Sequence, residues 1–306
     1  MGTKHSKSIA SQDTNRSRER SLHVQSSPSI ILDGRIYHDI GSSAYCLPRD
    51  ELEQDRLNSQ HFSLKVIFNG NVLPIIATSL AQEAKILDIG CGSSTWCLEM
   101  ALDYPRSQIR GLDMADMFPT TIRPQNVTFD LHNALEGLPY ENNSFDLIHM
   151  RLLITAWRVE EWSFILKEIY RVLKPGGYVQ LVESDFTVTQ KSPMVEMFNK
   201  TLYTTIQQRG LDPFIVKHLD TLLPEHGFQI VEKELKLVNY GEKGNPISQE
   251  MLWNWKSAMK AMKPILAHHL LRQPEEYERF IDRYIQECEQ FGLFLQIGAF
   301  AARKSV

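Results

Sequence analysis

Cysteine is scarce: Cys46, Cys91, Cys97 and Cys288 are the only four in 306 residues, with no C-x-x-C pair and no histidine at zinc-ligand spacing. That pattern excludes a disulfide framework and a cysteine metal cluster, and it indicates a reducing, intracellular compartment with no metal site. Long apolar runs are missing too. None approaches the roughly 18 residues of a membrane span, and no secretory h-region follows Met1. Excess charge is also absent: 33 Lys and Arg stand against 37 Asp and Glu, a net charge of −4, so no global field favours nucleic acid. What remains is 42% hydrophobic residues, enough for one sizeable α/β core with accessory helices.

Residues 1–27 read differently from the rest. They are rich in Ser, Arg, Lys and Gln and poor in apolar side chains, so they cannot offset the entropy of ordering and are expected to be disordered. Met1 to Ser6, M-G-T-K-H-S, matches the acceptor pattern for N-myristoylation at Gly2. Lys4, Lys7, Arg16, Arg18 and Arg20 outnumber Asp13 and Glu19. An acyl chain beside a basic segment would supply the two signals that stable attachment to an inner membrane face needs.

The segment Lys85 to Ser94, K-I-L-D-I-G-C-G-S-S, carries the most information. Ile86, Leu87 and Ile89 form a short core strand, Gly90 and Gly92 allow a tight turn, and Thr95 to Tyr104 has helical spacing through Trp96, Met100 and Ala101, with Leu98 and Leu102 widening the face. A dinucleotide fingerprint wants a glycine at position 95, where this chain has Thr95. A second strand, Gln108 to Leu112, ends at Asp113, whose carboxylate can accept both hydroxyls of a ribose. Further strands are expected over Val127 to Leu131, Phe145 to Met150 and Tyr178 to Val182. A helix from Trp162 to Leu173 stops at Lys174-Pro175-Gly176-Gly177, with Lys174 complementing the helix dipole.

Taken in order, D-I-G-C-G, G-L-D, L-P-Y, S-F-D-L-I-H and R-V-L-K-P-G-G-Y resemble a class I S-adenosylmethionine-dependent methyltransferase. D-G-R-I-Y-H (Asp33 to His38), Y-C-L-P-R-D-E-L-E-Q-D-R-L (Tyr45 to Leu57) and the pair Gln60-His61 narrow the resemblance to the fungal methyltransferases related to the velvet-associated regulator of secondary metabolism. It extends over about Ile31 to Arg303. It implies an α/β fold: a seven-stranded Rossmann-like sheet with helices on both faces, Phe228 to Val238 and Leu293 to Ala301 supplying the sixth and seventh strands, the last inserted antiparallel. The domain would run over 28–306, divided into an N-terminal lid segment 28–83, a cofactor-binding core 84–185 and a C-terminal part 186–306 with acceptor-side helices.

By the same resemblance S-adenosyl-L-methionine is the cofactor. Asp88, Gly90 and Gly92, with Ile89 and Cys91 between them, line its methionine end. Asp113 and Met114 meet the ribose region, and Asn133 with Ala134 the adenine edge. Ser94 stands where many relatives have a third glycine, and Asn133 where many have aspartate. The helix expected over Asp50 to Phe68, with Leu52, Leu57, Leu64, Ile67 and Phe68 near one side, either belongs to a segment covering the cofactor, with Tyr37, Tyr45 and Arg56 as lid candidates by resemblance, or packs on the sheet edge. Trp253, Trp255, Met259 and Met262 are either acceptor-pocket lining or core.

Methyl transfer rests largely on alignment, with a base needed only if the acceptor holds its proton. His149, Arg151, Glu183 and Asp185 are the catalytic or acceptor-positioning candidates, because they fall at carboxyl ends of strands. An N-P-P-Y signature of amino-group methylation is absent after the fourth strand, where M-R-L-L stands. Two readings follow: an enzyme methylating a small molecule or a protein side chain, or a cofactor-binding regulatory protein acting through partners with little catalysis. Either fits a cytoplasmic, nuclear or membrane-associated place in the cell.

Overall fold

The computed structural model describes residues 28–305 apart from 40, 42, 120 and 187. The tail expectations, Gly2 and its basic neighbours included, lie outside the described residues. The chain begins with a hairpin, β1 (Ser29–Leu32) and β2 (Arg35–His38), closed by Asp33 and Gly34 at φ 49° and 76°, the left-handed pair that suits a two-residue hairpin turn. Arg35 then holds Asp50 through two bonds of 2.6 and 2.7 Å while Asp50 caps α1 (Glu51–Ile67) by accepting from Glu53 N. The D-G-R-I-Y-H and P-R-D elements are thus one structural clamp on the helix that follows.

Seven strands form the main sheet. β3 (Lys85–Ile89), β4 (Gln108–Asp113), β5 (Val127–Leu131), β6 (Phe145–Arg151) and β7 (Leu173–Asp185) are parallel, and β8 (Phe228–Asn239) and β9 (Phe294–Lys304) complete the order β5-β4-β3-β6-β7-β9-β8. β9 lies between β7 and β8 and is antiparallel to both, as the resemblance implied. Ile86, Leu87 and Ile89 are essentially inaccessible, which is what a central strand covered on both faces requires. Around the sheet pack α2 (Pro74–Ser79), α3 (Thr95–Asp103), α4 (Val159–Val172), α5 (Pro193–Gln208), α6 (Ile215–Glu225), α7 (Pro246–Ala261), α8 (Lys263–Leu270) and α9 (Tyr277–Phe291). None of the described helices is long and apolar enough to cross a membrane.

Several faces differ from expectation. On α3 the buried set is Trp96, Cys97, Met100 and Ala101, and Leu102 is 72% exposed. At 100° per residue Leu102 lies opposite the arc these four span. On α1 the buried residues are mostly polar, Glu53, Arg56, His61 and Ser63 with Leu64, whereas Leu52 faces solvent. Lys174 binds the Asp146 carboxylate at 2.8 Å from a position already inside β7, so its partner is a side chain of β6 rather than the end of α4. The hairpin, α2 and α6 were not among the expected elements, although Ile215, Val216, Leu219 and Leu223 keep helical spacing on α6.

Candidate functional site

The strand order reverses between β3 and β6, and an open α/β sheet leaves a crevice at the carboxyl ends of strands there. A single cavity starts at this point. One end is walled by Asp88, Gly90, Gly92, Asp113 and Asn133, and the other by Phe186, Tyr240, Met251, Trp255 and Met259. Of the four aromatic and methionine candidates on α7 and its end, Trp255, Met259 and Met262 line it, while Trp253 is 46% exposed. Two residues along a helix is a rotation of about 200°, which turns Trp253 away. Tyr240 and Phe186 carry no motif and come from separate elements, so only the fold brings them here, whereas Met251 shares the helical face of Trp255 and Met259 on α7.

At the glycine turn the backbone is left-handed at Gly90, Gly92 and Ser94, with φ of 71°, 51° and 64°. A Cβ on Gly90 would lie 2.6 Å from Leu153 Cδ2, closer than packing tolerates. Ser94, the residue in the third glycine position, therefore adopts a glycine-like conformation at some cost. Asp113 is tied into this turn: its Oδ2 accepts from Gly92 N and its Oδ1 from Ala115 N, both at 2.8 Å. Burial raises its pKa to about 6, against the pull of those two donors. Asn133 Oδ1 accepts from Leu135 N at 3.1 Å and caps the short turn that holds Ala134. Ile89, Cys91, Met114 and Ala134 all reach the cavity wall.

Asp88 reaches the cavity too, but its carboxylate is engaged. His149 Nδ1 lies 2.8 Å from Asp88 Oδ1, and Cys97 Sγ donates to Oδ2 at 3.5 Å. The His149 ring stacks on Trp96 with centroids 4.0 Å apart. Burial lowers the His149 pKa although Asp88 opposes this, so a neutral ring donating from Nδ1 is the consistent state. Arg151, at the end of the same strand, reaches the cavity and gives Nη1 to His61 Nδ1 at 3.2 Å.

Glu183 and Asp185 are 0% and 1% exposed, and neither is part of the cavity wall. Glu183 accepts from Leu153 N and Ile154 N at 2.8 and 3.1 Å, pinning the loop after β6. Asp185 faces Lys217 at 3.2 Å. Of the four strand-end candidates, then, His149 and Arg151 meet at the cavity while Glu183 and Asp185 look elsewhere. Burial lifts Glu183 to about 8 from 4.5. A carboxyl raised in the fold contributes stability that is complete below about pH 4.5 and is lost as pH rises toward 8. The denaturation midpoint should thus fall between pH 5 and 8 by more in the parent than in Glu183→Gln; equal slopes would assign the loss to other groups.

Among the lid candidates, Tyr45 lies on the cavity wall. Tyr37 instead donates to Ala261 O at 2.6 Å, fastening the hairpin to α7. Arg56 is locked in place, with Nη2 and Nε on Glu53 at 2.6 and 2.9 Å and Nη1 on Asn254 Oδ1 at 2.9 Å. Asn254 Nδ2 returns a bond to Arg56 O at 2.6 Å, so α1 and α7 are joined over the cavity by a buried polar seam. Gln60 adds a bond to Asn254 at 3.3 Å.

The chemistry of this donor set suits an adenosyl ligand. Each oxygen of Asp113 uses one lone pair on the backbone and keeps another for a ribose hydroxyl. The turn beside it exposes backbone at two glycines.

Comparison with known proteins agrees. A family model described as a methyltransferase domain matches residues 86–177. The chain is 30% identical over 236 residues to the "Secondary metabolism regulator LAE1" of Cochliobolus heterostrophus, spanning 73% of this chain and 75% of that protein. It is 30% identical over 208 residues to the "Methyltransferase str2" of Strobilurus tenacellus, spanning 67% and 71%. The cyclopropane synthase MmaA2 of Mycobacterium tuberculosis superposes with a TM-score of 0.50 at 15% identity, covering 80% of this chain and 84% of that one, a likeness of fold.

Proposed function

Because the chain belongs to the class I S-adenosylmethionine-dependent methyltransferases related to fungal secondary metabolism regulators, we propose that its cavity binds S-adenosylmethionine and passes the methyl group to a small, largely apolar acceptor. One observation carries this reading: the glycine turn and Asp113 open into the same cavity that ends among Phe186, Tyr240, Trp255 and Met259. When bound, the cofactor supplies an electrophilic methyl group on a sulfonium. The protein's part is to bind and align. Asp113 holds the ribose, Asn133 and Ala134 border the adenine, and the turn from Gly90 to Gly92 approaches the methionine end. The seam of Arg56 and Asn254 keeps α1 over the cavity and excludes water. The aromatic and methionine wall orients a flat or aliphatic acceptor, whose proton passes to bulk solvent. Alignment is the main source of acceleration in such a site.

Incubation with S-adenosylmethionine labelled in the methyl group tests the reading. Label is expected in apolar hydroxyl or carboxyl compounds offered as a panel. Label found only in protein would contradict a small-molecule acceptor.

A second reading, regulation through partners with little catalysis, is favoured by the engagement of Asp88 with His149 and by the name of the Cochliobolus relative. It predicts cofactor binding without transfer.

Asp113 gives the cofactor site a pH signature. With a pKa near 6 in the free protein, it is largely protonated at pH 5, and a ligand that needs the carboxylate must drive the proton off. Affinity for S-adenosylhomocysteine should rise from pH 5 to 7.5 in the parent, and this rise should be lost in Asp113→Asn. A flat profile in the parent would separate Asp113 from binding.

A further inference from the structure

Arg151 ends β6 one residue beyond Met150, which is paired with Ile89 of β3. The guanidinium therefore stands level with the start of the glycine turn. It borders the main cavity and also a small recess behind it that is lined by Leu64, Leu73 and Gln180. Asp88 and Glu99 attract its charge, but neither carboxylate bonds to it directly. The only hydrogen bond it makes among the described residues is to an imidazole, His61 Nδ1, at 3.2 Å.

The nearby carboxylates are occupied. Asp88 takes His149, and Glu99 takes His61 Nε2 at 2.6 Å and Lys65 Nζ at 2.8 Å. The row Lys65, Glu99, His61, Arg151 fixes proton positions: His61 donates to Glu99 from Nε2, so its Nδ1 is the acceptor for Arg151. A neutral His61 is what this needs, and burial together with Arg151 lowers its pKa to about 4. One of the five guanidinium N–H groups is used in this bond. The other N–H groups have no acceptor among the described residues, and the guanidinium borders the cavity.

We infer that Arg151, oriented by His61, is the binding group for a carboxylate, and that the carboxylate is that of the methionine half of the cofactor. The inference rests on the cofactor reading above. The choice between cofactor and acceptor follows from position. Arg151 adjoins the glycine turn and the side of the cavity covered by α1 through His61, whereas the apolar acceptor wall is built by α7 and Tyr240. A planar fork that meets a carboxylate with two parallel bonds also sets its orientation. Arg151 is a positioning residue for the cofactor, and no proton transfer is assigned to it.

Calorimetric titration separates the possibilities. Parent, Arg151→Gln and Arg151→Lys are each titrated with S-adenosylhomocysteine and with its decarboxylated analogue, which lacks only the carboxylate. The parent should prefer S-adenosylhomocysteine at least tenfold. Arg151→Gln should lose at least tenfold for S-adenosylhomocysteine, yet bind the decarboxylated analogue within twofold of the parent. Arg151→Lys, which keeps the charge and the fold, should retain part of the preference. Equal weakening of both ligands in Arg151→Gln, or an unchanged preference in both variants, overturns the inference and leaves the carboxylate of an acceptor as the alternative. A parent that binds neither ligand overturns the cofactor reading itself.

Discussion

His149→Ala should lower the unfolding free energy by about 3 kcal/mol, the upper end of what removing a buried hydrogen-bond donor from a carboxylate costs. Asp88 and His149 are 3% and 1% exposed. Their 2.8 Å contact is the only strong bond that Asp88 Oδ1 makes among the described residues, and the thiol at 3.5 Å on Oδ2 is a weak donor. Without the imidazole the carboxylate loses its strong donor and stands beside an empty volume, and Trp96 loses its stacking partner. Chemical denaturation measures the loss. Asp88→Asn in the same background should restore part of it, because an amide needs no counter-charge. A loss below about 1 kcal/mol with no recovery in the double variant would mean that the contact does not hold the fold.

The second large effect is expected at Gly241, which follows Tyr240 at the apolar end of the cavity. A Cβ there would lie 1.9 Å from the carbonyl oxygen of Cys288 and 3.0 Å from Gly292 Cα. Both are backbone atoms, so no side chain can swing aside. Asn239 Oδ1 also fixes the segment by accepting from Gly241 N and Leu293 N, both at 3.1 Å. Gly241→Ala must push apart the end of α9 and the start of β9, at a cost of about 3 kcal/mol or more. Gly41→Ala, where a Cβ meets nothing within 4 Å, should stay within about 0.5 kcal/mol of the parent. If both variants melt alike, the backbone contact at Gly241 is not what the packing argument requires.

Strand β3, the turn and α3 were readable because an apolar run, two glycines and helical spacing occur without a gap. The seven strands, the last inserted antiparallel, followed from the family resemblance and match the sheet found. Periodicity, however, says which faces an element offers, not what meets them. It placed Leu52 and Leu102 with the buried sides of their helices, whereas both are exposed. It did not show that α1 buries Glu53, Arg56 and His61, because polar burial is decided by partners such as Asn254, which lies 198 residues away. Likewise Asp88 and His149 were each visible as strand-end residues. That they satisfy one another is a property of adjacent strands in register. The apolar wall of the cavity was half legible: Trp255, Met259 and Met262 follow helical spacing, while Phe186 and Tyr240 arrive from a loop and a strand end.

The central claim is that the glycine turn and Asp113 form a cofactor site, and calorimetric titration with S-adenosylhomocysteine beside Asp113→Ala tests it without knowledge of the acceptor. Saturable binding by the parent, weakened at least about tenfold in the variant, a loss of roughly 1.4 kcal/mol, is the expected result. No binding by the folded parent would contradict the account.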